Sequence, residues 1–355
     1  MSIDASYVQT ISGTHDACAS HTQLNKVFDP IFRDFDKLIK RHAAFNIFFI
    51  ALCTLEVVAL AFFFVSLAQS LVLALSLSVV FFTFFAYFTL RIYFQTKKPE
   101  QFLSIKERYL NACKGMLKEQ EGTAEYHSAL ANASCKFANR LHAREYDYYS
   151  VPSFLSFMSV WTERLSCWWH WQDLHVMKEM LLQEAVNEHI KLVKHFPTSL
   201  DAHASLANAY VMLSGLYIDP RKLEGYDEER WIPNDKYTER FTEKFRFTAE
   251  RAIEEFKILS EYAPDDSWVH IQLAYSYHDL QMPLEEIKEY ETIKRLLPND
   301  FDNLFKLGVL YFQQGWNAKG LRVYEELKKA HYEKAESLIK FYGSYNAPDH
   351  YLSVG

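Results

Sequence analysis

The sequence predicts an all-α chain, with a transmembrane helical hairpin at the front and a helical solenoid behind it. Three observations carry this reading. The 48 residues from Ala43 to Leu90 include one charged side chain, Glu56. In the C-terminal half, signature residues recur at an offset of 34. Glycine and proline number only 10 each in 355 residues, and no convincing strand alternation runs through the rest.

The apolar stretch is too long for one crossing. A bilayer core of about 30 Å needs roughly 20 helical residues. The polar break at Ser66-Leu67-Ala68-Gln69-Ser70 divides it into two spans, Ala44–Val65 and Leu71–Leu90, joined by a very short turn. Lys37, Lys40 and Arg41 precede the hairpin, Arg91, Lys97 and Lys98 follow it, and the turn has no basic residue. The positive-inside rule therefore puts both termini and the solenoid on the cytoplasmic side. The run starts too late and is too long for a cleaved signal peptide. An ionisable group about twelve residues into a span is costly, which makes Glu56 a working residue, a protonated carboxyl, or a hydrogen-bond partner of Ser76 or Ser78.

The net charge is −7. Residues 1–94 are neutral by count, so all of it belongs to 95–355. An acidic soluble part argues against nucleic acid as partner. The five cysteines (Cys18, Cys53, Cys113, Cys135, Cys167) have no C-x-x-C spacing and read as reduced thiols.

In order along the chain, residues 1–23 are Ser/Thr-rich and read as disordered. Residues 24–42 carry Val27, Ile31, Phe35, Leu38 and Ile39 at helical spacing and predict an amphipathic helix, suited to lie on the membrane surface. The hairpin occupies 43–94, and Pro99 predicts a helix break after Lys98. Residues 95–165 form a helical connector or a degenerate repeat, with one long helix over Tyr126–Tyr149. Trp161, Trp168, Trp169 and Trp171 are either a membrane-facing aromatic patch or core residues. His170 and His175 are five apart, off a common helical face, and predict no metal site.

The repeats span 166–332. Leu273-Ala274-x-x-Tyr277 recurs 34 residues on as Leu307-Gly308-x-x-Tyr311, and Phe256, Leu259 and Pro264 recur as Tyr290, Ile293 and Pro298. Leu206-Ala207-x-x-Tyr210 is a further first-helix signature, and Leu130-Ala131 with His127 echoes it. Ala185 and Leu192 mark an earlier second helix, closed by Pro197. This pattern resembles the tetratricopeptide repeat (TPR): an aromatic, Leu-Gly/Ala and Tyr on helix A, then a small residue, an aromatic and proline on helix B. The sequence departs from it in places. The first aromatic position holds His203, His270 and Leu304; the helix B small position holds Ala252, Glu286 and Gly320; Tyr332 stands where the last proline would be. An insert at 215–248 separates one helix A from its helix B, loop-like at first and a helix extension from about Asn234; it is a candidate binding loop or a cover. Residues 333–355 are a capping helix to about Tyr345 and a tail.

The resemblance implies a partner groove lined by helix A at its second, fifth, ninth and twelfth positions. These are Asp201, Ala204, Asn208 and Val211; Trp268, Ile271, Tyr275 and His278; and Asp302, Phe305, Val309 and Phe312. Asn208 matches the carboxylate clamp of some members, but Ala204 and Asp302 stand where lysines belong. The expected groove set is Asn208, Trp268, Ile271, Tyr275, His278, Phe305 and Phe312, for an apolar or amphipathic helical segment of a partner protein.

No catalytic motif appears, no cofactor is implied, and the chain is expected not to be an enzyme. Asp300-Phe301-Asp302-Asn303 and Asp265-Asp266 predict helix caps, not cation loops. The expected function is a membrane-anchored scaffold that recruits a protein to the bilayer. Two alternatives stand beside it: a subunit of a membrane transporter or enzyme assembly using Glu56, and a secreted protein binding a host protein. The second follows from hydropathy, which is similar to that of the bilobed inclusion-membrane proteins of chlamydia-like intracellular bacteria.

Overall fold

The computed structural model describes residues 17–67, 71–117, 122–149, 158–222, 231–233 and 235–343. Every regular element among them is helical: α1 (Ala17–Leu67), α2 (Leu71–Met116), α3 (Ala124–Arg140), α4 (Ser159–His195), α5 (Leu200–Gly215), α6 (Glu239–Tyr262), α7 (Ser267–Asp279), α8 (Pro283–Leu296), α9 (Phe301–Gln313), α10 (Asn317–Lys329) and α11 (Ala335–Leu338), with short 3-10 turns between. The chain divides into two compact units, residues 1–192 with 219–238, and residues 193–218 with 239–355.

In the first unit α1 and α2 pair antiparallel. Ring contacts run from Phe45 with Tyr87 through Phe35 with Phe102 to Phe28 with Tyr109, so numbers fall on one helix as they rise on the other. The amphipathic segment 24–42 is not separate from the first span, since α1 runs through both. Its apolar face does not lie on a surface either: Phe28, Phe35 and Ile39 are buried, against Tyr109, Phe102 and Phe137. Pro99 does not break the chain, because α2 continues through it to Met116. A proline inside a helix costs about 3 kcal/mol. Burial of Phe102, Ile105, Tyr109 and Leu110 beyond it, at about 1.5–3 kcal/mol for each large side chain, outweighs that cost. The tract 1–16 lies outside the described residues; from Ala17 the chain is helical.

The long helix expected over Tyr126–Tyr149 ends at Arg140. Ala143 takes a left-handed φ of 60°, and Ser166 fixes the following turn, donating to the Glu145 carbonyl and accepting from the Tyr148 amide. The tryptophans of α4 differ in burial. Trp171 is buried and stacks on His175, whereas Trp161 and Trp168 are exposed. Cys53, Cys113, Cys135 and Cys167 are free thiols.

The second unit is a helical solenoid. Helices pack in consecutive pairs, α5 with α6, α7 with α8 and α9 with α10, and each pair leans on the next through α6–α7 and α8–α9. Caps punctuate it: Ser199, Asp266 and Asp300 accept from the amides of Ala202, Trp268 and Asn303. Small residues allow close approach. A Cβ on Gly308 would lie 2.7 Å from Leu338 and 2.9 Å from Val323. Ala207 and Ala274 fill the same repeat position and are fully buried. The extension of helix B begins at Glu239, not Asn234. The capping helix is one α-turn followed by a 3-10 turn, Ile339–Phe341, and its remainder beyond residue 343 lies outside the described residues.

Candidate functional site

The candidate groove face is built from α5, α7 and α9. Trp268, Ile271, Tyr275 and Phe305 are half-buried, and Trp268, Ile271 and Phe305 pack on the two cores of the stack. Trp268 meets Phe256 edge-on at 5.9 Å, and Phe305 lies 6.2 Å from the Tyr332 ring. The Lys306 ammonium donates to the Tyr275 hydroxyl at 3.2 Å and sits over its ring, tying α9 to α7. Asn208 is exposed on α5. Trp268, Ile271, Tyr275 and Phe305 thus leave aromatic and aliphatic surface partly open on α7 and α9.

Position twelve of helix A behaves differently. Phe312 is fully buried and cannot line a groove. Its ring fills the space over Gly320, where a Cβ would lie 2.5 Å from it, and its far edge meets Tyr342. His278 is exposed but engaged, with Nδ1 3.1 Å from the Glu286 carboxylate. Both pairs occupy the same two repeat positions, Phe312 with Gly320 and His278 with Glu286, and Val211 with Ala252 completes the series. Position twelve therefore packs against the small position of helix B, with volume and polarity exchanged between partners.

A second feature, absent from the sequence reading, recurs at the first aromatic position. His203 Nδ1 lies 2.6 Å from Glu255, and its Nε2 lies 3.0 Å from the Pro197 carbonyl. His270 repeats this with Glu289 at 2.6 Å and the Pro264 carbonyl at 2.9 Å. In the first unit His127 pairs with Glu188 at 2.6 Å. In the last repeat both partners change together, to Leu304 and Val323, each buried. The signal was in the sequence: each Glu stands three residues after the helix B small position, at Ala185, Ala252 and Glu286. A carbonyl and a carboxylate both accept, so the two contacts of His203 favour its protonated ring. Burial lowers its pKa, but the Glu255 and Pro197 bonds more than offset that and leave it raised. Burial likewise opposes the charge on Glu188, and Lys191 and His127 together hold its carboxyl below the usual range.

Glu56 faces the other hairpin helix. Thr83 Oγ1 donates to its Oε1 at 2.9 Å, and Ser78 bonds instead to the Ala74 carbonyl of its own helix. Thr83 is thus a cross-helix hydroxyl partner of Glu56 beyond the two serines expected from the sequence. His170 is held by Asp173 at 3.2 Å, and His175 stacks on Trp171. Asp173 is buried, which by itself would raise its pKa, yet His170 and Lys98 hold it below the ordinary value.

Together these features define a helical-repeat protein preceded by two long apolar helices. No family model matches the chain, and no curated protein sequence does. Among solved structures, a monomeric mutant of IFIT1 with Gppp-AAAA is similar at 12% identity and a TM-score of 0.30. The match covers 66% of this chain and 58% of that one, less than two thirds of its length. At that TM-score the likeness carries no argument about what this chain binds.

Proposed function

We propose that this chain is a membrane-anchored helical-repeat scaffold that recruits a protein through the face formed by α5, α7 and α9. One observation carries the anchoring. In the apolar windows of α1 and α2 only 6% is buried within the structure, and Phe62, Phe81 and Phe82 stand 70–81% exposed. Contiguous apolar surface of that extent is not left in water, and both helices are long enough to cross a bilayer. The basic flanks favour both ends on the cytoplasmic side. The Thr83–Glu56 bond favours a structural role for Glu56, as interhelical glue in an apolar medium, over a working site in a transporter or membrane enzyme. Nothing in the helical stack calls for a reaction, and the reading assigns none. The −7 charge favours protein over nucleic acid as the partner.

Crosslinking pull-down from native membranes tests the recruiting face, wild type beside Trp268→Ala/Phe305→Ala. Loss of a specific partner in the folded variant is the expected result. Retention of the same proteins by both would move the search to the 215–248 insert.

A further inference from the structure

A half-open cleft of about 550 Å³ lies in the first unit where the hairpin leaves its apolar zone. Its walls include His42, Arg91, Lys98, Trp168, Trp169 and Asp173. Arg91 directly follows the second span and His42 lies two residues before the first, so the cleft sits at the depth of lipid headgroups on the side holding both termini. The acids of the cleft are already paired. Asp173 is 2.7 Å from Lys98, and Asp235 is 3.7 Å from Lys236. Arg91 has no carboxylate partner among the described residues. Its guanidinium lies 4.4 Å over the Trp169 ring and 3.5 Å from the Tyr87 hydroxyl. Two ring nitrogens in the walls, His42 Nε2 and Trp169 Nε1, are closed off from water without a hydrogen-bond partner. Beside the cleft, Met158, Trp161, Leu165 and Trp168 are all exposed at a three-four-three spacing, an apolar stripe with tryptophans.

We infer that this cleft is a phospholipid site, in which Arg91 binds the headgroup phosphate while the Trp161–Trp168 stripe rests in the same leaflet. An arginine fork suits phosphate oxygens, and stacking on Trp169 holds it in place without neutralising it. Tryptophans at helical spacing favour the interface over either water or hydrocarbon. The acyl chains then run along the exposed phenylalanines of the hairpin. This inference rests on the hairpin crossing a membrane.

The test uses the full chain in detergent micelles, with native mass spectrometry of bound dihexanoyl phosphatidylglycerol. The comparison arms are inorganic phosphate and a short-chain diacylglycerol without phosphate. Wild type should hold the phospholipid and release it about tenfold more readily as Arg91→Gln, with Arg91→Lys between the two, since a lysine keeps the charge and loses the fork and the stacking. Equal binding of diacylglycerol, or undiminished binding by a folded Arg91→Gln, overturns the phosphate site. Binding of inorganic phosphate as tight as that of the lipid overturns the lipid assignment. If Arg91→Gln loses helical circular dichroism, the wild-type contrast between phospholipid and diacylglycerol decides. Flotation with phosphatidylcholine vesicles separates the two readings: a wild type that fails to float removes the hairpin, whereas floating without phospholipid preference removes only this site.

Discussion

His203 and Glu255 show how a single exchange is tied to its neighbour. The pair is largely buried, so removing one partner leaves the other without its bond. His203→Leu alone should cost about 1–3 kcal/mol. His203→Leu/Glu255→Val, which copies Leu304 and Val323, should recover most of that loss in chemical denaturation, and a double variant as unstable as the single one would refute the coupling. The histidines also respond to pH with opposite signs. Because the folded pKa of His203 is raised, its contribution is fully present below the unfolded value of 6.5 and fades as pH rises through the folded one. His189 is buried and desolvation lowers it to about 4, so the folded chain stays neutral there while the unfolded chain takes up a proton. Stability around α4 should therefore fall from pH 6.5 towards 4. Hydrogen exchange of α4 amides should show this loss, and His189→Leu should flatten it.

At the level of elements, complementary pairs decide what is exposed. Gly320→Ala would press a methyl into the buried Phe312 ring, and overpacking of this kind costs about 1–3 kcal/mol despite the better helix propensity of alanine. Phe312→Leu in the same chain should restore part of the loss, measured as the denaturation midpoint. The 34-residue period and the caps at Asp266 and Asp300 were legible because each is a local pattern with a local cause. The burial of Phe312 was not, since it depends on a glycine eight residues on in the partner helix. The histidine–glutamate pairs were visible as spacing but not as contacts, because two polar residues on separate helices look like ordinary surface until the helices meet. Pro99 misled for the opposite reason: its local rule is sound, and the packing of Phe102, Ile105 and Tyr109 overrides it.

For the whole molecule, hydropathy made the two apolar helices plain, and the structure adds that among the described residues only 6% of each apolar window is buried. In the proposed scaffold the hairpin would fix one end of the chain to a bilayer, and the half-buried residues Trp268, Ile271, Tyr275 and Phe305 would be left to meet a partner. The measurement that bears most directly on this account is extraction of native membranes with alkaline carbonate, reading where the full chain goes. The account predicts that it stays in the membrane pellet, since two spanning helices are held by hydrocarbon and not by surface charge. Release of the intact, folded chain into the supernatant would contradict the anchored scaffold.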